Sequence, residues 1–204
     1  MKNIHPARIE QARRIFTRSG GTMRTIEALR AGIHPEVLYA MRDTGIVEPL
    51  ARGLFRLAET RQLGNPDLVT VAMKIPRGVI CMISALSYHR ITTQIPHAVD
   101  VALVRGSEPP RMEHPPIHVY WSVEHILQCG AEAQLVDGKP IRIHNPERAL
   151  VDAFRHRNKI GFDVAMEALR LYRERLPLKF DRIMEYAAVC RSIGVIRPYL
   201  ESTL

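Results

Sequence analysis

Hydrophobic positions recur with helical period at the start of the chain. Between Pro6 and Phe16 the residues Ile9, Ala12, Ile15 and Phe16 line one side of a helix, and Ser19-Gly20-Gly21 closes it. Thr22 to Ala31 forms a second short helical pattern ending at Gly32. A third helix opens at His34-Pro35-Glu36, with proline at its first position and a carboxylate in its first turn. It runs through Thr44 and stops at Gly45. Val37, Leu38 and Met41 share one face of it, which leaves Glu36, Tyr39, Arg42 and Asp43 for the other. The pattern then becomes extended. Ile46 to Leu50 and Leu54 to Leu57 flank a turn at Ala51-Arg52-Gly53.

Two short helices joined by a tight glycine-containing turn make a helix-turn-helix arrangement. A β-ribbon with arginine at its tip, following directly, reads as a wing. The sequence therefore predicts a winged helix-turn-helix DNA-binding domain over residues 1–59. The competing reading is a three-helix core that touches no DNA.

Ala58 to Gly64 is polar and without period, and is expected to be a linker. A helix capped by Asn65 with Pro66 at its first position runs to Ile75, and another, apolar on nearly all sides, from Gly78 to His89. Alternation follows at Ala98–Val104, Ile117–Trp121 and Gln134–Ile143, the last holding Asp137-Gly138, a strong hairpin signal. Gly106 to Pro116 contains four prolines and reads as a long exposed loop. Three helices end the pattern: Pro146–Asn158 capped by Asn145, Phe162–Leu176, and Phe180–Cys190. In the middle one Phe162, Ala165, Met166, Leu169, Tyr172 and Leu176 form the apolar face, with Glu167–Arg170 and Arg170–Glu174 pairs opposite. The predicted plan is α+β: the winged module, then a larger mixed α+β domain over residues 65–204.

Composition sharpens the choice of partner. A chain of 204 residues folds as one large or two small domains and needs neither metal nor disulfide for a stable core. The net charge is +8, and only five of the 29 basic residues are lysine. Arginine's planar fork suits phosphate and guanine edges. The charge sits at the two ends: residues 1–60 carry +4, residues 61–138 carry −1, and residues 139–198 carry +6. Cys81, Cys129 and Cys190 are odd in number and far apart, as expected for a reduced, cytoplasmic protein. No signal peptide is evident, and the longest apolar run, Val79 to Tyr88, is too short to span a membrane.

An enzyme needs a constellation, and the sequence offers none. His114 and His118 have no cysteine or carboxylate at metal-ligand spacing. Gly106-Ser107 matches the opening of a nucleotidyltransferase loop, but no Asp-x-Asp follows it. Asp100, Asp137 and Asp152 each stand alone in the sequence. No catalytic residue, metal site or cofactor is expected. Arg155-His156-Arg157-Asn158-Lys159 is the strongest basic run outside the wing. Its default role is to complement a helix C-terminus, with Arg155, Arg157 and Lys159 as alternative DNA or partner contacts. Trp121 reads as a core residue.

Several strings resemble one family. They are His34-Pro35-Glu36-Val37-Leu38-Tyr39, Arg52-Gly53-Leu54-Phe55-Arg56-Leu57, Ile80-Cys81-Met82-Ile83-Ser84-Ala85-Leu86-Ser87-Tyr88-His89 and Thr92-Thr93-Gln94-Ile95-Pro96. Arg155-His156-Arg157-Asn158-Lys159-Ile160-Gly161 and Arg197-Pro198-Tyr199-Leu200 complete the set. In this order and spacing the chain resembles the AbiEi-like antitoxins of prokaryotic type IV toxin–antitoxin (abortive infection) systems, over nearly its whole length. The resemblance implies a two-domain transcriptional repressor. Its N-terminal domain would bind inverted repeats in its own promoter, a double-stranded DNA arrangement that suits a homodimer. Its C-terminal domain would counteract a nucleotidyltransferase-like toxin without a stable complex. Arg24, Tyr39, Arg42 and Arg52 match the helix and wing positions that would face DNA, with Glu36 and Arg56 beside them. Glu36 and Asp43 leave Arg42 as the only cation of the third helix, so specificity is expected to lean on DNA shape and the wing. The alternative is a stand-alone transcription factor whose C-terminal domain senses a ligand or partner.

Overall fold

The computed structural model describes residues 5–59 and 64–202, so Thr60 to Leu63 of the expected linker lie outside the described residues. The protein is mixed α+β and divides into two compact units, Met1–Lys74 with Val136–Lys139 and Ile75–Leu135 with Pro140–Leu204.

The first unit contains α1 (Pro6–Arg18), β1 (Thr22–Arg24), α2 (Thr25–Arg30), α3 (Pro35–Asp43), β2 (Val47–Ala51), β3 (Leu54–Leu57) and α4 (Pro66–Lys74). Its strands form an antiparallel sheet in the order β1-β3-β2. The helical expectation for Thr22 to Ala31 fails in its first three residues. Thr22, Met23 and Arg24 pair with Arg56, Phe55 and Leu54 as a strand, because those pairs extend an existing ladder and drop Met23 into the core. That core joins Ala12 and Phe16 of α1, Ala28 of α2, Val37, Leu38 and Met41 of α3, and Val47, Phe55 and Leu57 of the sheet. Fully burying a side chain such as Phe16 or Leu38 contributes about 1.5–3 kcal/mol, so the buried stripe holds α3 in place more firmly than its nine residues could by propensity. Pro49 is tolerated because β2 is an edge strand, where a missing N–H breaks no ladder.

The second unit begins with β4 (Val79–Ile80) and α5 (Met82–Tyr88), where one helix from Gly78 was expected. Val79 and Ile80 are wholly buried and pair with Ala102 and Val101 of β5 (Val99–Val104). A Cβ on Gly78 would stand 2.6 Å from Val101 Cγ2, so only glycine allows this approach. Then come β6 (Ile117–Ser122), α6 (Glu124–Gln128), β7 (Ala131–Val136) and β8 (Lys139–His144). The sheet order is β6-β5-β4-β8-β7, with β5 parallel to β6 and β4 parallel to β8. At the β7–β8 turn Asp137 and Gly138 have φ of 48° and 73°, the pair of positive values that a tight hairpin demands.

The C-terminal helices are α7 (Pro146–Arg155), α8 (Arg157–Ile160), α9 (Phe162–Arg175), α10 (Phe180–Val189) and α11 (Ile193–Glu201). The helix expected from Pro146 to Asn158 is broken at His156, which takes φ −105° and ψ 18°. Two short helices, α6 and α11, were not foreseen; α11 carries Pro198 in its interior, a residue that reads as a helix breaker. In α9 the buried face is Val164, Ala165, Ala168, Leu169, Leu171 and Tyr172, rotated from the expected one, and Phe162 is 45% exposed. Arg170 pairs with Glu174, whereas Glu167 is taken by the Thr92 and Thr93 hydroxyls. Trp121, expected in the core, is 40% exposed on the edge strand β6. Among the described residues no helix is long and apolar enough to cross a membrane.

Candidate nucleic-acid interface

The outer face of α3 is assembled by its cap and its core. His34 precedes the helix, and its Nδ1 accepts the Glu36 N–H at 3.3 Å, satisfying one of the donors a helix start leaves open. Val37, Leu38 and Met41 point inward and are 5%, 0% and 0% exposed. Tyr39 is therefore driven outward. The Arg42 guanidinium carbon lies 5.0 Å from the Tyr39 ring centroid, a cation–π stack. Arg42 Nη2 is also 2.7 Å from Asp43 Oδ1, so the one cation of this helix is already held by a neighbouring anion. Glu36 is exposed in the first turn.

The β2–β3 hairpin places Arg52 at an exposed turn, where Gly53 takes φ 72°. The turn is fixed from two sides. The Thr25 N–H donates to the Gly53 carbonyl at 2.9 Å, and Lys74 Nζ donates to the Arg52 carbonyl. Arg24 precedes α2, its N–H bonded to Glu27 Oε2 at 2.8 Å, with its side chain half-buried. Arg56 is placed differently from the sequence expectation. It stands opposite Glu48 in the ladder, its Nε 2.8 Å from Glu48 Oε1, and its side chain is only 13% exposed. A guanidinium so paired braces the hairpin.

Arg155, Arg157 and Lys159 form one run in the sequence and do three different things. Arg155 is exposed at the end of α7. Arg157 Nη1 donates to the Phe154 carbonyl at 3.1 Å, the cation-on-last-carbonyl role expected of a helix end. Lys159 Nζ sits 4.4 Å above the Tyr120 ring.

Two clusters in the second unit were missed. Asp100 and His118 are register partners in β5 and β6, with Oδ1 and Nδ1 3.3 Å apart. Asp152 joins Arg148, at 3.0 Å, and His144 Nδ1, at 2.9 Å. The Arg148–Asp152 spacing of four in a helix was a usable signal; the Asp100–His118 pair depends on a parallel register that no local pattern gives. Among the described residues no group of three or more His, Cys, Asp or Glu is placed to hold a metal ion. All three cysteines are free, with Cys81 and Cys190 buried.

No family model matches the chain, and no curated protein matches it. A solved structure does. The crystal structure of the RV2827C protein from Mycobacterium tuberculosis aligns with a TM-score of 0.63, covering 90% of this chain and 72% of that one. Identity is 11%, so the likeness is one of fold.

Proposed function

We propose that the first unit is a winged helix-turn-helix DNA-binding module, with α2 and α3 as the helix pair and the β2–β3 hairpin as the wing. The observation that carries this reading is the division of α3. Its apolar face is sealed in the core, and its other face presents Tyr39 and Arg42 just before a hairpin with Arg52 at its turn. In this reading α3 enters the major groove, Arg42 reaches a base edge, and Arg52 reaches a phosphate or the minor groove. Arg24 and Tyr39 add backbone contacts. Glu36 and Asp43 weigh against a dense base-reading surface, so the sequence-dependent shape of the site supplies part of the specificity.

The chain as a whole is proposed to be an autorepressor and antitoxin of a type IV toxin–antitoxin system, acting in the prokaryotic cytoplasm as a homodimer on promoter inverted repeats. The second unit would counteract a nucleotidyltransferase-like toxin without a stable complex and without enzymatic activity of its own. This part rests on the resemblance of the six strings, from His34 to Leu200, to AbiEi-like antitoxins. The test keeps the full chain and removes DNA binding alone, with the double change Arg42→Ala and Arg52→Ala. The toxin encoded beside it is expressed from an unrelated promoter. The variant is expected to lose the operator and still rescue growth. Rescue lost together with operator binding would make neutralisation transcriptional and overturn the antitoxin role of the second unit.

A second reading, a stand-alone regulator whose second unit takes a ligand, is favoured by a cavity of about 280 Å³ in that unit. A chromosomal neighbour with no nucleotidyltransferase, together with ligand-dependent operator binding, would decide for it.

A further inference from the structure

The cavity in the second unit is lined by groups that the DNA-binding reading does not use. Parallel pairing of β5 and β6 brings Asp100, His118 and Tyr120 to one face, because residues two apart on a strand point the same way. Lys159 and Ile160 of α8 line the same cavity, with Ile83 of α5 and the segment from Gln94 to Ala98. Its volume is about 280 Å³, on the scale of a small-molecule site.

The polar groups form two layers. Asp100 is the inner one: its side chain is 5% exposed, its Oδ2 accepts the Ser84 N–H at 3.2 Å, and its Oδ1 faces His118 Nδ1. Burial raises the Asp100 pKa, and the contacts to Ser84 and His118 offset part of that rise. Asp100 behind the His118 ring fixes its orientation, with the proton on Nδ1 facing the carboxylate and Nε2 on the far side of the ring. His118 is the outer layer, with 65% of its side chain exposed and its other nitrogen, Nε2, left over. Lys159 lines the same cavity, its Nζ over the Tyr120 ring, and is also exposed. The accessible polar groups of the cavity are thus the Lys159 ammonium and the His118 and His97 rings, while the carboxylate is covered. Ile83, Ile95, Pro96 and Ile160 supply apolar wall, and Ile95 is 81% exposed at the rim.

We propose that this cavity binds a small phosphorylated metabolite, with the phosphate on Lys159 and His118 and an apolar or aromatic body against Ile95, Pro96 and Ile160. All of its lining residues belong to the second unit, whereas the proposed DNA interface is built from the first. A phosphate group can also belong to a nucleic-acid backbone, and the test separates the two sources.

The full chain is titrated calorimetrically with phenyl phosphate, inorganic phosphate and phenol, and separately with duplex DNA. Phenyl phosphate is expected to bind more tightly than either fragment. Losing one contact to the phosphate should weaken it about tenfold in Lys159→Gln and likewise in His118→Gln, while Lys159→Arg keeps most of the affinity. The ring nitrogen resonances of His118 should shift on addition of phenyl phosphate and not of phenol. Lys159 is exposed, so its variants should unfold like the wild type, and the amide introduced by His118→Gln can still donate to buried Asp100; urea unfolding of each variant checks both. Absence of phenyl phosphate binding at millimolar concentration, or equal affinity in wild type and both variants, overturns the proposal. So does a loss of DNA affinity in these variants with phenyl phosphate binding unchanged, which would assign Lys159 to a nucleic-acid backbone. Binding of inorganic phosphate as tight as that of phenyl phosphate would remove the apolar subsite and with it the metabolite.

Discussion

Arg148 and Asp152 meet across one turn of α7, Nη2 to Oδ1 at 3.0 Å, with 3% and 5% of their side chains exposed. Every polar side-chain atom of both is hydrogen-bonded. Arg148 Nη1 also donates to the carbonyls of Ile126 and Cys129, at 2.6 and 2.7 Å, and the other Asp152 oxygen holds His144 Nδ1. Burial by itself would raise the Asp152 pKa; the Arg148 guanidinium and His144 more than offset it and hold the carboxyl well below the usual carboxylate range. Charges this deep are tolerated because each nitrogen of the guanidinium and each oxygen of the carboxylate has a partner.

Removing one partner should therefore be expensive. Arg148→Met leaves Asp152 buried beside a histidine alone and leaves two carbonyls without their donor, and is expected to cost about 3–5 kcal/mol in urea unfolding. The double change Arg148→Met with Asp152→Leu removes the orphaned charge and should recover part of the loss. It cannot recover all, since the Ile126 and Cys129 carbonyls and His144 Nδ1 still lose their partners. A single variant within about 1 kcal/mol of the wild type would mean the network contributes little.

The hairpin arginines separate by burial, and DNA binding should follow. Arg52→Ala is expected to lower affinity and reduce the slope of log K against log salt by about 0.9, one phosphate contact. Arg56→Ala removes a covered brace on Glu48, so the slope should stay as in the wild type while stability drops by about 0.2–1 kcal/mol. A salt series on both variants reads this directly. A slope change for Arg56→Ala would return it to the interface.

That contrast shows what sequence reasoning could reach. The α3 boundaries were legible because Pro35, Glu36 and Gly45 punctuate an apolar stripe whose residues all went inside. Arg52 was legible because a glycine turn between two extended runs has one geometry. Arg56 was not, because its burial depends on Glu48 eight positions earlier being its register partner. Longer separations failed for the same reason. Asp100 and His118 meet only once β5 and β6 run parallel, and Val79-Ile80 becomes a strand only because Gly78 admits Val101. Local period carries helices and hairpins; it says nothing about which strand lies beside which.

Arg42 is held by Asp43 before any DNA arrives, and this gives an unusual expectation. An exposed ion pair contributes about 0–1 kcal/mol, so Arg42 can leave it cheaply, but Asp43 would then face phosphate. Asp43→Asn should strengthen binding to operator and random duplex alike, more at low salt than at high, because the gain is unscreened charge. Arg42→Ala should cost roughly 1–3 kcal/mol on the operator and less on random DNA if the guanidinium reads a base edge. Weaker binding by Asp43→Asn would instead make Asp43 the residue that positions Arg42.

Acid should destabilise the fold before the carboxylates titrate. Burial lowers the His89 pKa from the ordinary 6.5, and the bond between its Nε2 and the His144 carbonyl, 2.8 Å long, offsets this only in part. His156 is also lowered, by burial first and then by Arg155 and Lys159 against the opposing pull of Asp152. A lowered histidine pKa means that the folded chain binds fewer protons than the unfolded one. Its contribution is therefore fully present above about 6.5 and is lost as pH falls below that value. Asp100 has the opposite sign, since burial raises its pKa and so favours the fold as the pH falls. Urea midpoints should thus fall between about pH 7.5 and about pH 5.5. His89→Gln, whose amide can still donate to the His144 carbonyl without taking up a proton, should flatten that fall. A wild-type midpoint that is level or rises on acidification would show that neither imidazole is held neutral by the fold.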